Sequence, residues 1–183
     1  MAVDSEPSAA QTRIIAAALE LFARHGVGGT SLQMIADEIG VTKAAVYHQY
    51  NTKDEIVLAA AEAELAGLEA VVEAAEGVAS RKGARDALVA GMVDLAVDSR
   101  RTVGSILNDP VIVGFFAEHD TFRHVMTRLR RLLIGNDSGP EARVQTAILI
   151  AAISGAVMHP FVADLDDDVL RAELRGMAQR LLA

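Results

Sequence analysis

Apolar residues return every three or four positions along most of this chain, the spacing of helices that bury one face. Ile14, Ile15, Ala18, Leu21 and Phe22 make the first such face, which predicts a helix over 9–25 closed by Gly26 and a turn at Val27-Gly28-Gly29. Leu32, Ile35, Ala36 and Ile39 make the second, with Thr30 and Gln33 as a capping box at its start and Gly40 at its end. Thr42 predicts the cap of a short third helix that runs to Gln49. After a break at Asn51, Thr52-Lys53-Asp54-Glu55 reads as another capping box. It opens a helix to Glu76, roughly 36 Å long at 1.5 Å per residue. Further helices are predicted at 83–100, 103–108, 119–134, 140–160 and 167–182, separated by Gly-, Pro- and Asp-rich breaks. No window alternates as a strand would. The expected fold is all-α, with a disordered arm at 1–8, a three-helix head at 9–67 and a helical body at 68–183.

Composition narrows the chemistry. The chain is 51% hydrophobic but only 4% aromatic, and it has no cysteine, which excludes disulfides, thiolate metal sites and Cys nucleophiles. The uncharged stretch 147–163 is short for a bilayer span, and Ser154-Gly155 and His159-Pro160 interrupt it. With no basic-then-apolar signal at the N-terminus, a soluble, cytoplasmic protein without membrane contact is expected. The net charge of −8 is unevenly placed. Residues 1–53 carry Arg13, Arg24, Lys43 and Lys53 against five acids, about −1, which leaves −7 for 54–183. A near-neutral head on an acidic body suits a few well-placed phosphate contacts rather than non-specific adhesion to nucleic acid.

The second and third helices with their Gly-containing turn have helix-turn-helix spacing, which puts the third helix at a DNA major groove. On a helical wheel Val46 and Tyr50 point inward, Ala44, Tyr47 and His48 point away, and Lys43 lies in the first turn. Ala44 lets the backbone approach a base edge or meet a thymine methyl. Lys43 can donate to guanine O6/N7 or to phosphate, and Tyr47 and His48 can donate to phosphate.

The run Thr30-Ser31-Leu32, Ile35-Ala36, Gly40-Val41-Thr42-Lys43, Val46-Tyr47-His48 and Tyr50-Asn51-Thr52-Lys53-Asp54-Glu55 resembles the signature of the TetR/AcrR repressor family. The resemblance covers about residues 12–58. It implies that Thr30 or Ser31, together with Thr42, Tyr47 and Lys53, holds the DNA backbone, and that Lys43, Ala44 and His48 lie at or near base edges. The chain departs from the family pattern at Ile39, Ala44, Gln49 and Tyr50. Of these, Gln49 stands where histidine is common and leaves that contact open.

In the body, four of the five phenylalanines lie between 115 and 161. Met92, Leu95, Ile106, Phe115, Phe116, Phe122, Met126, Leu129 and Met158 are candidates either for plain core or for the apolar effector cavity that the resemblance implies. Arg100, Arg101, Arg128, Arg130 and Arg131 are candidate partners for an acidic group on such a ligand. Leu170, Leu174, Met177 and Leu181 recur at bundle spacing, and Ala147, Ala151 and Gly155 form a small-residue row. In the resembled family the last two helices build a four-helix dimer interface. His119, His124, His159 and the acids at 164–168 lack metal-ligand spacing, so no metal and no cofactor is expected. No nucleophile–base set or phosphate loop supports an enzyme. The expectation is a homodimeric repressor released from a palindromic double-stranded DNA operator by a small, mostly apolar effector, with an activator or a ligand-independent regulator as the alternative.

Overall fold

A computed structural model describes residues 7–100, 119–137 and 139–182. Every regular element among them is helical: α1 (Ala9–Gly29), α2 (Leu32–Glu38), α3 (Lys43–Gln49), α4 (Lys53–Glu76), α5 (Arg81–Asp98), α6 (Asp120–Ile134), α7 (Pro140–Ala156) and α8 (Asp167–Leu181), with a 3-10 turn at Pro160–Val162. The helix expected at 103–108, and with it Arg101, Ile106, Phe115 and Phe116, lies outside the described residues.

Local chemistry explains the ends of the head helices. Ser8 and Gln11 form a reciprocal capping box at α1. Gly26 interrupts that helix, and a last turn through Gly29 follows. The cap of α2 is Ser31 rather than the expected Thr30: the Ser31 hydroxyl accepts from the Met34 amide at 3.2 Å. Gln33 completes no box, because its amide donates to Asp37 instead. At the other end of α2, Gly40 has φ +69, the Val41 amide donates to Ala36 O at 2.9 Å, and the Gly40 amide donates to Asp37 O at 3.2 Å. Those two bonds are a Schellman closure, which a side chain at position 40 would strain. Thr42 and Thr52 cap α3 and α4 as expected. Glu55 completes its box one residue early, accepting from the Asn51 amide rather than from that of Thr52.

Two cores result. Phe22, Ile35, Val46 and Ile56 are fully buried in the head, in a cluster that ends at Ala61. Val72, Leu88, Leu129, Leu149 and Leu170 anchor the body, in a cluster that begins at Leu65. α4 is therefore shared, packing on α1 in the head and on α5 and α6 in the body. The contact with α5 is close: a Cβ at Gly91 would stand 2.6 Å from Val71 Cγ1. Arg128 of α6 ties down the far half of α4 through Glu69 at 3.2 Å and Glu76 at 2.8 Å, and Arg131 reaches Glu76 at 3.2 Å. Arg171 of α8 grips Asp94 and Asp98 of α5.

Candidate functional site

α3 exposes the face that the wheel assigned to it. Lys43, Ala44, Tyr47 and His48 are exposed, together with Ala45, while Val46 is fully buried and Tyr50 nearly so. Tyr47 therefore does not close the head core; 44% of it is open to solvent. The Lys43 ammonium lies 5.4 Å from the Tyr47 ring centroid, a cation–π distance. Gln49 is half-buried, and its amide nitrogen lies 3.3 Å from His48 Nδ1, so the two side chains set each other's orientation.

Two expected phosphate contacts are placed otherwise. Thr30 is only 3% exposed, and its hydroxyl donates to Gly26 O at 2.9 Å. Ser31, exposed beside it at the start of α2, remains the candidate. Lys53 is half-buried and donates to Val27 O at 2.7 Å and Thr30 O at 3.2 Å. It adds a second donor to Val27 O, which also accepts from the Thr30 amide at 3.3 Å, and it supplies a donor to the Thr30 carbonyl just past the end of α1. Arg13 is likewise committed to Ile39 O and Arg24 to Glu38. Of the head's four Lys and Arg, Lys43 alone makes no hydrogen bond or ion pair among the described residues.

A half-open apolar cavity of about 490 Å³ lies in the body between α4, α5, α6 and α7. Of the candidates singled out from the sequence, Met92, Leu95, Phe122, Met126, Leu129, Met158 and Arg100 line it. Ile106, Phe115 and Phe116 fall outside the described residues. Sequence reasoning missed Glu64, Ser99 and Ile150 on the same wall. Glu64 stands one turn before Leu68 on the body-facing stripe of α4, and an acid in such a stripe was the available signal. Burial pushes its carboxyl above the usual range, against a weaker opposing effect of the Ser99 hydroxyl at 3.5 Å.

The expected dimer residues divide. Met177 and Leu181 are half exposed, and Gly155 and Ala151 are exposed, although Ala151 also lines the cavity. Leu170 is 1% exposed and belongs to the body's own core, and Leu174 packs partly against that core. The body covers the first half of the α8 stripe and leaves the second half open beside α7. Val144 and Ile148 of α7, not singled out from the sequence, are more than half exposed there and share a groove with Leu181. Among the described residues no group of three or more His, Asp or Glu is placed to hold a metal ion, and no helix is long and apolar enough to cross a membrane.

A three-helix head with an exposed third helix, joined to an all-helical body, is the architecture of helix-turn-helix DNA-binding proteins. The model of bacterial regulatory proteins of the tetR family matches residues 14–60. An HTH-type transcriptional regulator of Bacillus subtilis, YezE, is 30% identical over 62% of this chain and 66% of its own length. SrpR of Pseudomonas putida, also an HTH-type transcriptional regulator, is 44% identical over 30% of this chain and 26% of its own. The chain thus matches less than two thirds of the length of each. Among solved structures, the fatty acid degradation regulator FadR of Bacillus halodurans superposes with a TM-score of 0.79 at 17% identity, covering 98% of this chain and 97% of that one. PfmR of Thermus thermophilus, a TetR family transcriptional regulator, gives 0.72 at 22% identity over 92% and 97%. Residues 14–60 thus match the helix-turn-helix unit of the tetR family, and the described fold is that of TetR family regulators.

Proposed function

We propose that this protein is a repressor that binds a pseudo-palindromic double-stranded DNA operator as a homodimer and leaves it when a small, mostly apolar effector enters the body. The observation that carries the reading is the exposed face of α3, where Lys43, the head's one uncommitted cation among the described residues, stands beside Ala44, Tyr47 and His48. Ala44 leaves room for a base edge, and Lys43 supplies a donor for guanine or phosphate. Ser31 and Thr42 sit exposed at the starts of α2 and α3, where hydroxyl and amide donors suit phosphate oxygens. The half-open apolar side chains of α7 and α8 support self-association, which brings two heads to two half-sites. The cavity has the size and lining of a small-molecule site. The work belongs in the cytoplasm, where bacterial DNA lies.

The test is selection of binding sites from random duplexes by the full chain, followed by affinity measurement by fluorescence anisotropy. An inverted repeat bound by two chains, and abolished by Lys43→Ala together with His48→Ala, is the expected result. Recovery of no preferred sequence would overturn the reading.

A further inference from the structure

The cavity wall carries two charged side chains among the described residues, and they are not equivalent. Arg100 is already paired: its guanidinium lies 2.7 Å from Asp167 Oδ1 and donates to Leu165 O at 3.4 Å. Glu64 has no such partner. Among the described residues its carboxylate accepts from the Ser99 hydroxyl, at the 3.5 Å limit of a hydrogen bond, and no described cation stands within ion-pair distance. A carboxylate facing an apolar space without a counter-charge is costly, and a ligand that supplies the charge relieves that cost. The surroundings favour one sign. Phe122, Met92 and Met126 share the wall, and aromatic faces and polarisable sulfurs accommodate a diffuse cation better than an anion. The acidic body, with −7 of the chain's charge, also attracts cations from solution.

The geometry points to an amphipathic organic cation as the effector: an apolar body filling the space between α5, α6 and α7, with an ammonium or similar group against Glu64 and Ser99. This deepens the effector reading above and rests on it. It makes Glu64 the residue that selects charge, while the methionines and Phe122 accept varied apolar shapes.

Three probes with one chain length separate the terms: dodecyltrimethylammonium, dodecanol and dodecanoate, each titrated calorimetrically into the full-length protein below micelle-forming concentrations. The expected order is cation over alcohol over carboxylate, with one cation bound per chain. Glu64→Gln keeps the side chain's shape and removes its charge. It should weaken the cation by about tenfold or more, the scale of losing one partner of a desolvated pair, and move dodecanol by less than about threefold. Glu64→Asp, which keeps a carboxylate, should retain the preference for the cation. Equal or tighter binding of dodecanol or dodecanoate by the unaltered protein overturns the cation assignment and leaves the cavity as an effector site. The same holds if Glu64→Gln leaves cation affinity unchanged, because adsorption to the acidic surface would then explain the binding. If none of the three binds, the effector cavity itself fails, and the assignment with it. The unaltered protein decides the charge preference even if a variant does not fold.

Discussion

The ammonium of Lys53, at the first position of α4, lies 2.7 Å from the backbone oxygen of Val27, in the last turn of α1. That single bond joins the end of the head's first helix to the start of the helix that leaves the head. It changes what a substitution at position 53 should do. Removing the ammonium takes away both of its hydrogen bonds and leaves Val27 O with the Thr30 amide as its donor, so Lys53→Ala should destabilise the head by about 1–2 kcal/mol in thermal or urea unfolding. A lysine on phosphate would instead lower the salt slope of DNA affinity by about one when removed. The expected outcome is a lower melting temperature with the salt slope unchanged to within about half a unit. A slope change of one with unaltered stability would restore the phosphate role.

Lys43 offers the contrasting case. It is exposed and stands over the Tyr47 ring, so its loss should leave folding intact. Lys43→Ala should cost about 1–3 kcal/mol at the selected operator and relax the preference at one base position. Competition between operator variants in anisotropy measurements reads both effects. A uniform loss across all sequences would make Lys43 a phosphate contact only.

Ile148→Arg or Leu181→Arg should give a folded chain with the sedimentation behaviour of a monomer, because both positions are more than half exposed and share the α7–α8 groove. Leu170→Ala should act differently, since that side chain is buried in the body itself. A loss of about 2–5 kcal/mol in stability is expected there, without a specific effect on association. Sedimentation equilibrium beside urea unfolding separates the two cases. A dimer that survives both arginine substitutions would move the interface elsewhere.

Glu64 and Glu76, both on α4, predict opposite pH responses. Burial raises Glu64, so the folded state holds that proton more tightly than the unfolded chain does. Its favourable contribution is complete at acidic pH and is lost as pH rises through the raised value. Arg128 lowers Glu76, first through its hydrogen bond, so that contribution is present at neutral pH and lost as pH falls through the lowered value. Glu64→Gln should therefore stabilise the ligand-free protein near neutrality, with the gain shrinking in mild acid. Glu76→Gln should destabilise it near neutrality, with the deficit shrinking in acid. Urea midpoints across that range, for both variants, give the signs directly.

Helix order and the inward turn of Val46 and Tyr50 were legible because apolar period and capping residues are local properties. The fates of Thr30, Lys53 and Leu170 were not. Thr30 and Ser31 are both competent caps, and only the path of the chain at Gly26 decides which hydroxyl turns inward. Lys53 has an acceptor 26 positions away in Val27, which no local pattern encodes. On α8, Leu170 and Leu181 lie in nearly the same direction around the helix axis. What differs is whether the body continues beneath them, and that is set by α5 and α7. The cavity's sulfur and aromatic lining was visible as composition, whereas Glu64 hid among the many acids of a long helix.

α4 is unbroken from Lys53 to Glu76, and its far end is fastened by Arg128 and Arg131. Such a helix behaves as a lever whose pivot lies at the fastened end. Glu64, on the cavity wall, is 12 residues from Glu76, and Lys53, in the head, is 23, so a tilt about the pivot moves the head end about twice as far as the cavity wall. Were the proposed effector to shift the cavity wall by a fraction of an ångström, the head end would move about twice as far. Weakening the fastening at Arg128 would blunt that amplification while leaving both the cavity and α3 chemically intact.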